Sequence, residues 1–326
     1  MNKIGLTFGG QLAIPEVIKY ARVAEKKGFH SFWAAEQRGL RDSITTVAAL
    51  AASTTSPLLG LGVISPYTRH PVLTASTCAS LDELSNKRLM IGFGASKRFW
   101  QALGINDSSP INTMKECIEV VRRILKGENL TYQGKAFRID KMGLSFTPPR
   151  TTIPIFIGAM SPKMMETAGE IGDGVLLGNL SSPEHTRFAV EHVETGARRV
   201  GKDPALVEIA GYVTIWTTDN EPSARVAAKK QLAVFLANPG WEILFGPEMA
   251  QNPLVQEICH VARQGQLDKA ASLVNNELLD AVTISGSPRA CRDRLSEYTS
   301  AGLTTTIIRT TESSLSSVIN ALGDSN

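Results

Sequence analysis

The sequence predicts a single α/β barrel, a (β/α)8 TIM barrel, from three observations. Short apolar or β-branched runs alternate with longer stretches of helical period along almost the whole chain. The length, 326 residues, suits one barrel of that kind with one insertion. The turn after the first apolar run reads Phe8-Gly9-Gly10-Gln11, without the third glycine or the following acidic residue that a dinucleotide-binding doubly wound sheet would want.

Residues 3–8 form the first strand candidate. Residues 15–27 follow as a helix, with Pro15 in its first turn and Gly28 just past its end. Further strands are expected at 30–34, 58–63, 89–93, 153–157, 174–177 and 207–214. Helices are expected between them at 43–53, 71–84, 113–125, 162–171, 183–200 and 221–237. Two runs compete for the eighth strand, 281–284 and 304–309. The second is preferred because a last helix, 313–322, follows it. The first runs into Gly286-Ser287-Pro288, the entry to a helix at 289–299, and reads as a small linking segment. Eight strands alternating with helices require right-handed parallel crossovers, and these close a barrel. Residues 238–276 are an extra stretch before the last strand, carrying Trp241, Phe245, Pro247 and Pro253. A connection that long is expected to serve as a lid, a substrate wall or a contact between subunits.

Composition removes several classes of function. With 43% hydrophobic and 20% charged residues, the chain can bury a large core and is not intrinsically disordered. The 34 basic and 31 acidic residues leave a formal charge of +3 with no basic stripe, which argues against nucleic-acid binding. The longest apolar runs, 58–64 and 153–157, fall far short of the roughly 20 residues that a membrane span needs. The N-terminus runs straight into strand-like sequence, so a cytoplasmic protein is expected. Cys78, Cys117, Cys259 and Cys291 lie far apart and form no pair at zinc spacing; they read as isolated reduced thiols in helices, and no metal site is expected.

In such a barrel the residues at the C-terminal ends of the strands face the site. Four stretches stand out there. Glu36 and Gln37 follow the second strand and place a carboxylate and an amide at the rim. Gly62-Val63-Ile64-Ser65-Pro66, after the third, suggests a kinked backbone laid against a flat ligand. Gly94-Ala95-Ser96-Lys97, after the fourth, offers small residues for a close backbone approach and a cation. Gly158-Ala159-Met160-Ser161-Pro162-Lys163 opens a helix, where free amides, a hydroxyl and a lysine suit an anion. Together these loops favour a cofactor with a phosphate-bearing tail. There is no nucleophile elbow and no Walker loop, and only His70 among the five histidines lies near such a strand end. Hydride transfer fits this inventory because it needs little acid–base machinery from the protein.

The runs Gly62-Val63-Ile64-Ser65-Pro66-Tyr67-Thr68-Arg69-His70-Pro71, Ser80-Leu81-Asp82-Glu83-Leu84-Ser85-Asn86-Lys87-Arg88 and Ile91-Gly92-Phe93-Gly94 resemble the bacterial luciferase-like superfamily. Within it they are most similar to the coenzyme F420-dependent methylenetetrahydromethanopterin reductases and their relatives. Pro154 to Ala159, Thr167 to Gly174 and Ser285 to Pro288 extend the likeness over most of the chain. The resemblance implies coenzyme F420 at the C-terminal rim, with FMN as the alternative, and a non-prolyl cis peptide between Gly62 and Val63 that backs the ring. Position by position, it implies that Glu36 contacts the ring or tail and that Ser65 lies just past the bulge. It makes Ala95 and Ser96 backbone contacts, and Gly158, Ala159, Ser161 and Pro162 the holders of the phosphate end.

The alcohol and sugar-phosphate dehydrogenases of the group place histidine and glutamate where this chain has Gln37 and Lys97, which argues against direct alcohol oxidation. The resemblance thus implies direct hydride transfer to an electrophilic carbon, such as that of a pterin-like one-carbon carrier, with Glu36 and Gln37 as the candidate catalytic pair. An FMN-dependent monooxygenase fed by a partner flavin reductase is the second reading, and a flavin-binding protein without catalysis the third. Helices 43–53 and 71–84 are rich in Ala, Ser and Thr, and a homodimer is expected.

Overall fold

The computed structural model describes residues 3–37, 39–95, 101, 103–105, 109–217, 221–237 and 251–323. The barrel strands are β1 (Lys3–Phe8), β2 (Ser31–Ala34), β3 (Leu58–Ile64) and β4 (Leu89–Gly94) in the first half. A short antiparallel hairpin, β5 (Leu130–Gln133) and β6 (Arg138–Met142), intervenes before β7 (Ile155–Ala159), β8 (Gly174–Leu177) and β9 (Glu208–Thr217). After β10 (Ile284–Gly286), β11 (Thr305–Arg309) completes the set.

The parallel order β1-β2-β3-β4-β7-β8-β9-β11 returns to β1, so eight strands close into a barrel with helices between them. The later of the two competing runs is therefore the eighth strand. Of the earlier run, 281–284, Ala281 and Val282 end a helix and only Ile284 enters β10, which among the described residues pairs with the overhanging end of β9, Ile284 opposite Ile215 and Gly286 opposite Thr217.

The helices follow the expected order: α1 (Ile14–Lys26), α2 (Ser43–Ser53), α3 (Pro71–Leu84), α4 (Pro110–Leu125), α5 (Pro162–Ile171), α6 (Pro183–Arg199) and α7 (Glu221–Leu236). The sequence reading placed no element on residues 126–152, where the hairpin lies. Its strands are short and largely exposed, so they lack the apolar alternation that marks a half-buried strand. What shapes the hairpin turn is Glu116 of α4, whose carboxylate accepts the N–H groups of Lys135, Ala136 and Phe137.

The inward faces of the strands fill the lower barrel with Trp33, Met90, Phe156, Leu176, Tyr212 and Ile307. Trp33 sets the packing. Its ring meets Phe156 edge-on at 5.5 Å, and its indole N–H donates to Ser31 Oγ at 2.9 Å. A Cβ at Gly60 would lie 2.0 Å from that ring, so only glycine fits on β3 opposite it. The outward faces pack against the helices in a larger apolar layer.

The run 80–88, at the end of α3 and just past it, serves this scaffold rather than the mouth. Asp82, with no exposed surface, takes a bidentate ion pair from Arg150 at 2.7–3.1 Å and the N–H of Leu89. Arg88 donates to four backbone carbonyls, those of Ala51, Thr54, Pro57 and Ser85. The four cysteines are buried in helices and form no disulfide. Burial pushes the Cys78 thiol up to about 12, which keeps it protonated. Among the described residues no helix is long and apolar enough to cross a membrane.

Of the insertion expected at 238–276, residues 251–276 are described. They contain α8 (Pro253–Arg263) and α9 (Leu267–Leu273), and α10 (Asn276–Val282) starts at their end. With α7 these helices enclose a second apolar core that includes Leu232, Leu236, Ile258 and Leu279. Leu180 and Trp216 belong to it as well and tie it to the ends of β8 and β9.

Candidate functional site

The C-terminal mouth of the barrel has two unlike sides. On the β3 side the peptide between Gly62 and Val63 is cis, as the resemblance implied, and the pairing with β4 slips between Leu61 and Ile64. The slip turns both Gly62 and Val63 toward the lumen. Val63 then lies over the last residues of β4 and β7. A Cβ at Gly94 would come within 2.2 Å of its Cγ2, and one at Gly158 within 3.1 Å of its Cγ1. Gly94 and Gly158 are themselves in register. Within the chain, the room these two glycines leave is taken by Val63.

Glu36 and Ser65 hold the bulge from above. The Glu36 N–H donates to the Val63 carbonyl at 3.1 Å, and the Glu36 carboxylate accepts the Ser65 N–H at 3.1 Å and the Thr68 hydroxyl at 3.3 Å. Ser65 is buried, and its Oγ accepts the N–H of Tyr67. The Glu36 carboxylate is thus engaged with the loop after β3 and does not line the cavity described below. His70 is placed structurally. Its Nδ1 accepts the Val72 N–H at the start of α3, and its ring stands edge-on to Phe137 at 5.7 Å.

At the end of β7, Gly158 is half-buried and Ala159 buried, while Met160, Ser161, Pro162 and Lys163 are exposed. Ser161 occupies the position before the first turn of α5, yet its side chain makes no capping hydrogen bond. Its hydroxyl and the Lys163 N–H stay open to solvent or to a ligand, since Pro162 has no N–H and those of Met164 and Met165 donate to the Ser161 carbonyl. Ala95 packs against the outer apolar layer. Ser96 and Lys97 lie outside the described residues.

On the opposite side of the mouth is a cavity of about 390 Å3. Gln37 and Gly62 reach it, and they are the two residues it shares with the sequence-based list. Its other walls come from the ends of β1, β8, β9 and β11 and from Gln231, Leu232 and Phe235 of α7. None of the described insertion residues, 251–276, lines it; they back the helix that does. The cavity floor is fixed by Tyr212, whose buried hydroxyl donates to the Gly62 carbonyl at 2.5 Å. Burial pushes the Tyr212 phenol well above its ordinary range, so it remains a donor.

Two polar groups around this cavity, the Trp216 indole N–H and the Arg309 guanidinium, can only donate. Thr214 Oγ1, Trp216 Nε1 and Thr310 Oγ1 are buried and have no hydrogen-bond partner among the described residues. Arg309, the last residue of β11, stands in register with Thr214 of β9. Burial pulls its guanidinium below the usual value, with the Tyr212 phenol acting less strongly in the opposite direction.

The sequence reading missed Tyr212, Thr214, Trp216 and Arg309. Their signal was a spacing of two. In a barrel strand both faces are buried, so polar groups recurring at 212, 214 and 216 mark the lumen side, and a charge closing the run Thr305-Thr306-Ile307-Ile308-Arg309 marks its upper end.

Over residues 3–305 the chain matches the family of luciferase-like monooxygenases. It is 32% identical over 303 residues to the 5,10-methylenetetrahydromethanopterin reductase of Methanolobus tindarius, covering 92% of this chain and 91% of that protein. To the enzyme of the same name from Archaeoglobus fulgidus it is 31% identical over 306 residues, covering 93% and 91%. Among solved structures it is similar to the coenzyme F420-dependent tetrahydromethanopterin reductase from Methanopyrus kandleri. The TM-score is 0.89 at 24% identity, over 99% of this chain and 98% of that one. With its closed barrel, its bulge at Gly62–Val63 and a match spanning almost its full length, the chain belongs to the bacterial luciferase-like family.

Proposed function

We propose that the protein is a coenzyme F420-dependent oxidoreductase that passes a hydride directly between the deazaflavin and an electrophilic substrate carbon. The observation that carries this reading is the two-sided mouth, with a locked backbone bulge on one wall and a cavity of about 390 Å3 lined by polar and apolar residues on the other. The similarity to two methylenetetrahydromethanopterin reductases at 31–32% identity supports the class of acceptor, and that to an F420-dependent hydroxymycolic acid dehydrogenase of Mycobacterium tuberculosis, 28% identical over 236 residues, supports the cofactor.

The residues present fit such a cofactor. Gly62 presents backbone to the cavity, as a flat ring requires, while the side where a Cβ would point is filled by Tyr212 Oη and Trp33. Ser161 and Lys163, exposed at the uncapped start of α5, suit a phosphate-bearing tail. Bound there, the deazaflavin supplies the carbon that gives or takes the hydride.

The chain supplies position. Gln37 offers the cavity an amide that both donates and accepts, and so can orient a substrate. Glu36 acts one layer back, holding the Ser65 and Thr68 loop against the bulge. Leu232 and Phe235 of α7 give the cavity an apolar wall that keeps water from the reacting carbon.

The substrate class supported best is a carbon of iminium character, as in a methylene-bearing tetrahydropterin, because it accepts hydride without a strong general base. The test is anaerobic turnover of reduced F420 by the purified protein with such a pterin. Oxidation of F420 that depends on the pterin is the expected result. Activity seen only with FMN, a flavin reductase and O2 would replace this reading with a monooxygenase.

A further inference from the structure

The donors at the top of the barrel have no acceptors within the described chain. Ile307 belongs to the lumen plug, and Arg309, two residues later on the same strand, projects into the same lumen one layer higher. It lines the cavity and makes no hydrogen bond or ion pair among the described residues. Glu312 lines the same cavity but forms no ion pair with it. Around Arg309 stand Thr214 Oγ1, Thr310 Oγ1 and Trp216 Nε1, all buried and all without a partner. An indole N–H can only donate, and an arginine in a protein does not shed its proton. A permanent cation with three unmet polar neighbours is costly to keep out of water unless a ligand answers it.

We infer that Arg309, with Thr214, Trp216 and Thr310, forms a receptor for an anionic oxygen group of the substrate, a carboxylate matched to the planar guanidinium fork. The side of the mouth assigns the occupant. The groups suited to a cofactor tail lie at the ends of β4 and β7, whereas this receptor lies between β9 and β11 under α7. The inference uses the oxidoreductase reading only to call the occupant a substrate; the anion site itself rests on the cavity and its donors. It narrows the substrate to compounds that carry an anionic oxygen group able to reach the β9–β11 side of the cavity. The fork adds direction as well as charge, since two parallel N–H donors fix the plane of the carboxylate.

Acetate serves as the probe, titrated by calorimetry into the cofactor-free protein and into the protein saturated with F420. The wild type is expected to bind one acetate saturably, in the millimolar range, with the same affinity in both states. Arg309→Met should weaken that binding by about a hundredfold. It should leave the F420 affinity unchanged and raise Tm, because it removes an unanswered charge. Arg309→Lys, which keeps the charge without the fork, should fall between the two.

Absence of saturable acetate binding in the wild type would overturn the inference, as would undiminished binding in Arg309→Met. Displacement of acetate by F420 would also overturn it, because the cofactor would then own the site. Failure of the protein to bind F420 at all would count against the proposed function, while the acetate result would still decide this one.

Discussion

The hydroxyl of Tyr212 on β9 donates to the carbonyl of Gly62 on β3 at 2.5 Å, across the full width of the barrel. This one bond joins the two sides of the mouth. It satisfies the carbonyl of the cis peptide and sets the floor of the cavity whose upper wall is built by Thr214 and Arg309. Replacement by phenylalanine keeps the ring and leaves the Gly62 carbonyl without its donor. Loss of a buried hydrogen-bond partner costs about 1–3 kcal/mol. Tyr212→Phe should show that loss in urea denaturation and bind F420 less tightly than the wild type. Unchanged stability would mean that water replaces the hydroxyl.

Val63 gives a contrast between two glycines. Alanine at 94 would press a methyl to 2.2 Å from Val63 Cγ2, whereas alanine at 158 would meet Cγ1 at 3.1 Å. The first must displace the bulge, and the second can be absorbed by a small shift. Cofactor affinity measured by fluorescence is expected to fall about tenfold or more for Gly94→Ala and far less for Gly158→Ala. Equal losses would show that the glycines matter for a ligand's approach and not for Val63.

Asp82 lies at the other end of the barrel and bears on folding alone. It is completely buried and paired with Arg150 through three contacts. Removing one partner of a buried pair costs about 3–5 kcal/mol because the other charge is left unanswered. Asp82→Ala should lose that much stability while its folded fraction keeps its cofactor affinity. A loss below about 1 kcal/mol would show that Arg150 finds solvent instead.

Acid sensitivity should begin with histidines. Burial lowers the pKa of His185, and burial with Lys3 lowers that of His30, each from an ordinary 6.5. The unfolded chain therefore binds protons before the folded one does. Stability is complete above 6.5 and falls as pH drops from there through the depressed folded values. Glu25, Glu166 and Glu170, whose pKa values are lowered from 4.5, add a second loss at still lower pH. The urea midpoint should drop as pH falls below 6.5, and His185→Leu should flatten part of that drop. An identical slope in the variant would remove His185 from the account.

How far the sequence could be read follows from what each element asks of it. The barrel strands announce themselves because a doubly buried strand must be apolar throughout, as at 58–64 and 89–93. Their closing partner at 305–309 was equally legible. The hairpin at 130–142 was not, since its register depends on Glu116 reaching it from another element.

For the mouth, the loops rich in glycine drew attention to Gly62, Gly94 and Gly158, and the cis peptide followed from the resemblance. What local composition could not convey is that two of these glycines accommodate Val63, or that Glu36 spends its carboxylate on Ser65 and Thr68. The cavity's donors escaped because Thr214 and Arg309 look ordinary until β9 and β11 are set side by side.

The most direct test of the account is a parallel fluorescence titration of the cofactor-free protein with coenzyme F420 and with FMN. The account predicts saturable binding of F420 in the micromolar range and binding of FMN weaker by about a hundredfold. Preference for FMN, or binding of neither, would contradict it.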